Sequence, residues 1–123
     1  MQIFSKTDRG RVRTDNQDAY FAGKITDDSV FAVVCDGMGG ANAGNVASEL
    51  AVRHISEYVI RSYRDGMDMT DTEKTLKNAI VSANISLYDK AVNNAELAGM
   101  GTTAVAAFVK DGTAVIAHVG DSR

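Results

Sequence analysis

Proline and tryptophan are absent from this sequence, cysteine occurs once and histidine twice. Each shortage removes something. Without proline, and without repeats or low-complexity stretches, nothing marks an internal domain boundary or a stiff linker. With Cys35 alone no intramolecular disulfide can form, which fits a reducing, cytoplasmic compartment. The scarcity of cysteine and histidine also argues against zinc, which favours those ligands at recognisable spacings. No apolar run approaches the ~18 residues that suggest a membrane span. The opening Met1-Gln2-Ile3-Phe4-Ser5-Lys6 lacks the basic-then-apolar build of a secretion signal, so no membrane partner is expected. Basic excess is missing too. With 13 Lys and Arg against 16 Asp and Glu, the net charge of -3 offers no general attraction for nucleic acid.

What is present is 123 residues, 45% of them apolar, enough for one compact domain with a sizeable core. Gln2 to Thr7 alternates apolar and polar residues, and Asp18 to Ile25 is rich in aromatic and small ones; both predict strands, joined by the polar stretch Asp8 to Asn16. Val30 to Cys35 is almost wholly apolar and predicts a buried central strand, ending at the turn-like Asp36-Gly37-Met38-Gly39-Gly40. Val46, Leu50, Ile55, Tyr58 and Val59 recur near a helical period and predict a helix over Ala43 to Tyr63, with Asn42 as N-cap and Asp65-Gly66 as stop. Leu76, Ile80, Ala83, Leu87 and Ala91 predict a second helix over Asp71 to Asn93, capped by Thr70 or Asp71. After a loop from Asn93 to Gly101, two β-rich runs, Thr102 to Val109 and Thr113 to Val119, flank Lys110-Asp111-Gly112, a strong hairpin signal. The order predicts an α+β layered sandwich. A helical crossover also permits parallel pairing, so the sheet order stays open at this level.

Three acids stand at strand ends or turns: Asp18, Asp36 and Asp121. Singly, each is explained as a turn or surface residue. Together, acids at the ends of apolar strands call for compensation, because an unpaired buried charge costs several kcal/mol. Oxygen-only ligands select hard ions such as Mg²⁺ or Mn²⁺. Gly37, Gly39 and Gly40 would let the main chain approach such an ion, with the Gly37 carbonyl as a further oxygen ligand. The cluster is not a nucleotide-binding loop, since no Gly-Lys-Ser/Thr follows it. His54 and His118 both sit among apolar neighbours and are expected to pack or hydrogen-bond, and Cys35 to fill the core.

Four segments occur in a recognisable order: Gly10-Arg11-Val12-Arg13-Thr14-Asp15-Asn16-Gln17-Asp18, Val34-Cys35-Asp36-Gly37-Met38-Gly39-Gly40, Gly99-Met100-Gly101-Thr102-Thr103-Ala104 and His118-Val119-Gly120-Asp121-Ser122-Arg123. Together they resemble the N-terminal motifs of the metal-dependent type 2C serine/threonine protein phosphatases, in their stand-alone bacterial form. The resemblance runs from end to end of the chain. It implies a four-layer α-β-β-α sandwich, incomplete in this chain, with residues 1–123 as the N-terminal part of one catalytic domain. It also implies two Mn²⁺ or Mg²⁺ ions that activate water for hydrolysis of phosphoserine and phosphothreonine in signalling phosphoproteins, substrates of a serine/threonine kinase.

By the same resemblance Asp18 and Asp36 are metal ligands, Asp36 bridging both ions, and the Gly37 carbonyl assists. Arg13 holds the substrate phosphate, a role that suits the two-pronged guanidinium. Asp121 is a candidate for a third, weaker metal site, and Thr102 and Thr103 are expected to support the sheet beneath the centre. Two departures stand out. Gln17 replaces an acid found in many members but still hydrogen-bonds, and Met38 replaces a histidine that some members place there as a general acid. The family's later strands and remaining aspartate ligands have no counterpart up to Arg123, so the centre is expected to be incomplete and the fragment inactive or weakly active. An apolar sheet face left bare would favour self-association. The alternative is a non-catalytic, phosphatase-like binding module; a further relative of similar fold, acting in bacterial stress or sporulation signalling, fits the motifs less well.

Overall fold

The computed structural model describes residues 18–38, 43–97 and 99–119. The predicted strand Gln2 to Thr7, the cap Asn42, and Arg13, Gly39, Gly40 and Asp121 lie outside them. Within the described residues the chain forms strands β1 (Asp18–Thr26) and β2 (Ser29–Met38), helices α1 (Ala43–Ser62) and α2 (Met69–Asn93), a short 3₁₀ turn (Ala95–Leu97), and strands β3 (Gly101–Lys110) and β4 (Thr113–Val119). The sheet order is β1-β2-β3-β4, every neighbour antiparallel.

That answers the open question of pairing, and the helices explain it. A single crossover helix carries the chain back to where a strand began and yields a parallel neighbour. Two consecutive antiparallel helices return it to the end it left, so β3 starts where β2 stops, with Gly101 paired to Met38. β2 is therefore central among the described strands, and its side chains alternate strictly. Ser29, Phe31, Val33, Cys35 and Gly37 are buried, while the residues between them are less so. The buried set faces α1 and α2 and joins Ala104, Ala106, Phe108, Val115 and Ala117 from β3 and β4 in the core.

On α1 the most deeply buried stripe is Ala47, Ala51, Ile55 and Val59, whereas Val46, Leu50 and Tyr58 are only partly buried. Alanine lets the helix approach the sheet closely, so the small residues take the inner line. On α2 the predicted Leu76, Ile80, Ala83 and Leu87 are all buried. This helix starts earlier than its periodicity predicts. Asp68 is the N-cap, its Oδ1 accepting the Asp71 N–H at 2.7 Å, so Thr70 and Asp71 belong to the first turn instead of capping it. His54 Nε2 lies 2.8 Å from Ser82 Oγ and ties the two helices together, the hydrogen-bonding role expected of it.

Strand β2 also outruns its prediction. Asp36, Gly37 and Met38 do not turn away; they continue the ladder opposite Thr103, Thr102 and Gly101. The tight turn sits instead between β3 and β4, where Asp111 and Gly112 adopt φ of 53° and 76°, the left-handed pair that a two-residue hairpin demands. Sheet and helices thus make two of the four layers that the family resemblance implies.

The face of the sheet turned away from the helices carries Tyr20, Val30, Val34, Val105 and Ile116 by strand alternation, with Val34 52% and Ile116 60% exposed. Water against such a surface is unfavourable. The 123-residue chain on its own is expected to self-associate through it, giving species above the monomer in sedimentation velocity. Introducing Val34→Lys with Ile116→Lys should return it to monomer; a monodisperse wild-type monomer would contradict the expectation. Asp68→Ala should cost about 1 kcal/mol in urea unfolding, as loss of an N-cap does.

Candidate metal centre

Register decides what the two described acids do. Asp18, the first residue of β1, pairs directly with Asp36 near the end of β2. Directly opposed residues of an antiparallel pair project on the same face, with Cβ atoms about 4.5–5.5 Å apart. Both carboxylates therefore emerge together at one end of the sheet, on the face away from the helices. Two like charges so placed destabilise the pairing unless positive charge compensates them. Asp18 and Asp36 are both half-buried, and the Asp18 Oδ1 atom is fully covered, so solvent screens this pair incompletely.

The donor set, carboxylate oxygens, fits a hard divalent cation. Among the described residues no cluster of three or more His, Cys, Asp and Glu side chains forms. Gly37 itself is buried and paired with Thr102.

Beneath the acids, β3 supplies hydroxyls. Thr102 Oγ1 lies 3.1 Å from the Asp36 carbonyl oxygen and 2.8 Å from that of Thr103, and Thr103 Oγ1 lies 3.5 Å from the Asp36 carbonyl. Both threonines thus reach the main chain of Asp36, and Thr102 that of Thr103 as well. Nothing in a β-branched residue on a strand signals that contact in the sequence. Met38, at the position where some family members carry histidine, is exposed and lies against Gly101, its partner in the ladder. It borders an open, largely apolar groove of about 580 Å³ with Leu87, Tyr88, Ala91 and Met100, in which Asn84 and Thr102 are the polar side chains. His118 is exposed on β4, two strands away from Asp36.

A model of the protein phosphatase 2C family matches residues 7–123. The chain belongs to that family. It is 40% identical over 118 residues to the serine/threonine phosphatase stp of Listeria monocytogenes, an alignment covering 96% of this chain and 46% of the relative. It is 32% identical to protein phosphatase PhpP of Streptococcus pneumoniae over 123 residues, 49% of that protein. Among solved structures, the serine/threonine phosphatase Stp1 of Staphylococcus aureus superposes with a TM-score of 0.83 at 39% identity, covering 96% of this chain and 46% of that one. The Mycobacterium tuberculosis phosphatase PstP/Ppp gives 0.77 at 31% identity, with the same coverage. The chain spans about half the length of the relatives it matches. This phosphatase 2C chain accordingly has their mixed architecture, an antiparallel sheet with two helices on one face.

Cys35 adjoins Asp36 but plays a different part. Burial pushes its thiol up to about 12 from 9.0, and hydrogen bonding to the Thr102 side chain opposes only part of that rise. A phosphatase nucleophile needs the reverse, a thiolate at neutral pH. Native Cys35 should therefore resist maleimide at pH 9, where the urea-unfolded chain reacts readily. Because the folded state holds this proton more tightly, the associated stability is present below pH 9 and declines as pH rises from there toward 12. Equal reactivity of the folded and unfolded chains at pH 9 would contradict the burial.

Proposed function

We propose that residues 1–123 are the N-terminal part of a metal-dependent phosphoprotein phosphatase domain that hydrolyses phosphoserine and phosphothreonine. Family membership supports the class of reaction. The single observation that carries the chemistry is the register pairing of Asp18 with Asp36, which sets two carboxylates side by side on one face. In this reading they hold two Mn²⁺ or Mg²⁺ ions, helped by the Gly37 carbonyl, with Asp121 at a third, weaker site. Such ions, when bound, supply Lewis-acid activation of water and neutralise phosphoryl charge.

The chain's own residues do the rest. Asp18 and Asp36, anchored in a sheet ladder, keep fixed positions through the reaction, so little reorganisation accompanies charge development. Arg13 donates paired hydrogen bonds to the phosphoryl oxygens and stays charged at any working pH. Cys35, protonated and buried, contributes no nucleophile. The substrates are phosphorylated proteins of a serine/threonine kinase, in the cytoplasm; no described helix is long and apolar enough to cross a membrane.

Mn²⁺-dependent hydrolysis of an aryl phosphate should be measured for this chain and for the chain continued through its reading frame. Activity is expected in the longer form, with little or none in residues 1–123 alone. In the active form Asp36→Asn should lose more than the roughly 100-fold ceiling typical of substitutions outside a metal's direct ligands. Arg13→Ala should lower kcat/KM by about 10- to 100-fold, the scale of a charge-assisted hydrogen bond. Full activity of Asp36→Asn would overturn the metal reading. Inactivity of every form, together with tight binding to a single dedicated protein, would favour a phosphatase-like regulatory module.

A further inference from the structure

Thr102 stands opposite Gly37, on the helix-facing side of the sheet, while the acid it serves projects from the other side. Its hydroxyl is the meeting point of three groups. The Asp36 carbonyl lies at 3.1 Å, the Thr103 carbonyl at 2.8 Å, and the Cys35 side chain is a further hydrogen-bond partner. A hydroxyl carries one proton and two lone pairs. It gives that proton to one carbonyl at a time, so the Asp36 carbonyl on β2 shares it with the Thr103 carbonyl of its own strand, while a lone pair stays available to the thiol.

Strand formation does not require this hydroxyl. Valine is as good a strand residue and has nearly the same shape. What the oxygen adds is a cross-strand tie to the main chain of Asp36, immediately before Gly37. Glycine places the weakest restraint on its own dihedrals, and beyond it the chain runs only through Met38 before the ladder ends. The Asp36 main chain is thus a point on the acid itself that a β3 side chain holds, beside the ladder pairing. Metal ligation tolerates misplacement poorly, to within about 0.5 Å.

We infer that Thr102 is a positioning residue of the metal centre, acting through the Asp36 main chain and never touching metal or substrate itself. This rests on the reading of Asp18 and Asp36 as metal ligands. Its loss weakens the ion's binding and leaves the fold in place.

The test is Mn²⁺ affinity, followed by water-proton relaxation, in the chain continued through its reading frame, alongside thermal melting without metal. Thr102→Val should bind Mn²⁺ about 10-fold more weakly, at the low end of the 10- to 100-fold typical of groups that orient ligands. Thr102→Ser, which restores the oxygen, should remain within about 2-fold of wild type on the same scale. The metal-free melting curves of wild type and both variants should coincide to within a few degrees. Wild-type affinity in Thr102→Val, with Asp36→Asn impaired, overturns the positioning role alone; so does equal loss in the Ser and Val variants. Unimpaired Mn²⁺ binding by Asp36→Asn, or none by wild type, overturns the underlying metal reading instead. Should Thr102→Val fail to melt cooperatively, Thr102→Ala against Thr102→Ser carries the same contrast: retention by serine with loss by alanine supports the role, and equal affinities overturn it.

Discussion

Strand β2 carries a constraint from which most of the molecule follows: it has neighbours on both edges, helices over one face, and strict alternation along its length. Phe31, Val33 and Cys35 must point into the core, because exposing them would forfeit roughly 1.5–3 kcal/mol for each large side chain. Once they point inward, Asp36 has no choice but to point outward. A slip of one residue would drive the carboxylate under α1 and bring Val34 into the core in its place. Hydrophobic packing along one side of the strand therefore aims the acid on the other, with an energy no single polar contact could match.

The same alternation fixes what lies beside the acid. Because β1 pairs with β2 in this register, Asp18 arrives next to Asp36; because β3 pairs in its own, Thr103 and Thr102 arrive beneath it. The sheet thus fixes two carboxylates side by side. Carboxylate oxygens placed side by side in this way suit a hard cation. Lys110 Nζ lies 2.8 Å from the exposed Asp65, and such pairs contribute little.

Much of this was legible in the residues. The apolar run into Asp36, the two helical periods and the Asp111-Gly112 turn each declare a local structure, and the four spaced motifs point to the family. Legibility stopped where an outcome depended on a distant partner. Asp36-Gly37 looks like a turn in isolation, and remains in the ladder only because Gly101, Thr102 and Thr103 come back to meet it. The start of α2 moved to Asp68 because one side-chain hydrogen bond outweighed the periodicity of the apolar residues. The adjacency of Asp18 and Asp36 needed a register, which is set across the Asp27-Asp28 connection, where Thr26 N–H donates to Ser29 Oγ at 3.0 Å. Arg13 and Asp121 come from motifs alone, since both lie outside the described residues.

The helical hairpin inserted between β2 and β3 also divides the centre in time. Asp18 and Asp36 belong to one short β-hairpin, of a kind that closes within about 1–10 microseconds. Thr102 and Thr103 can join only after the whole α1–α2 excursion has folded back, a closure of much larger loop entropy that contributes to slower folding. On a ribosome the order is the same, because β2 emerges well before β3. The acids emerge first, and their supporting hydroxyls arrive later.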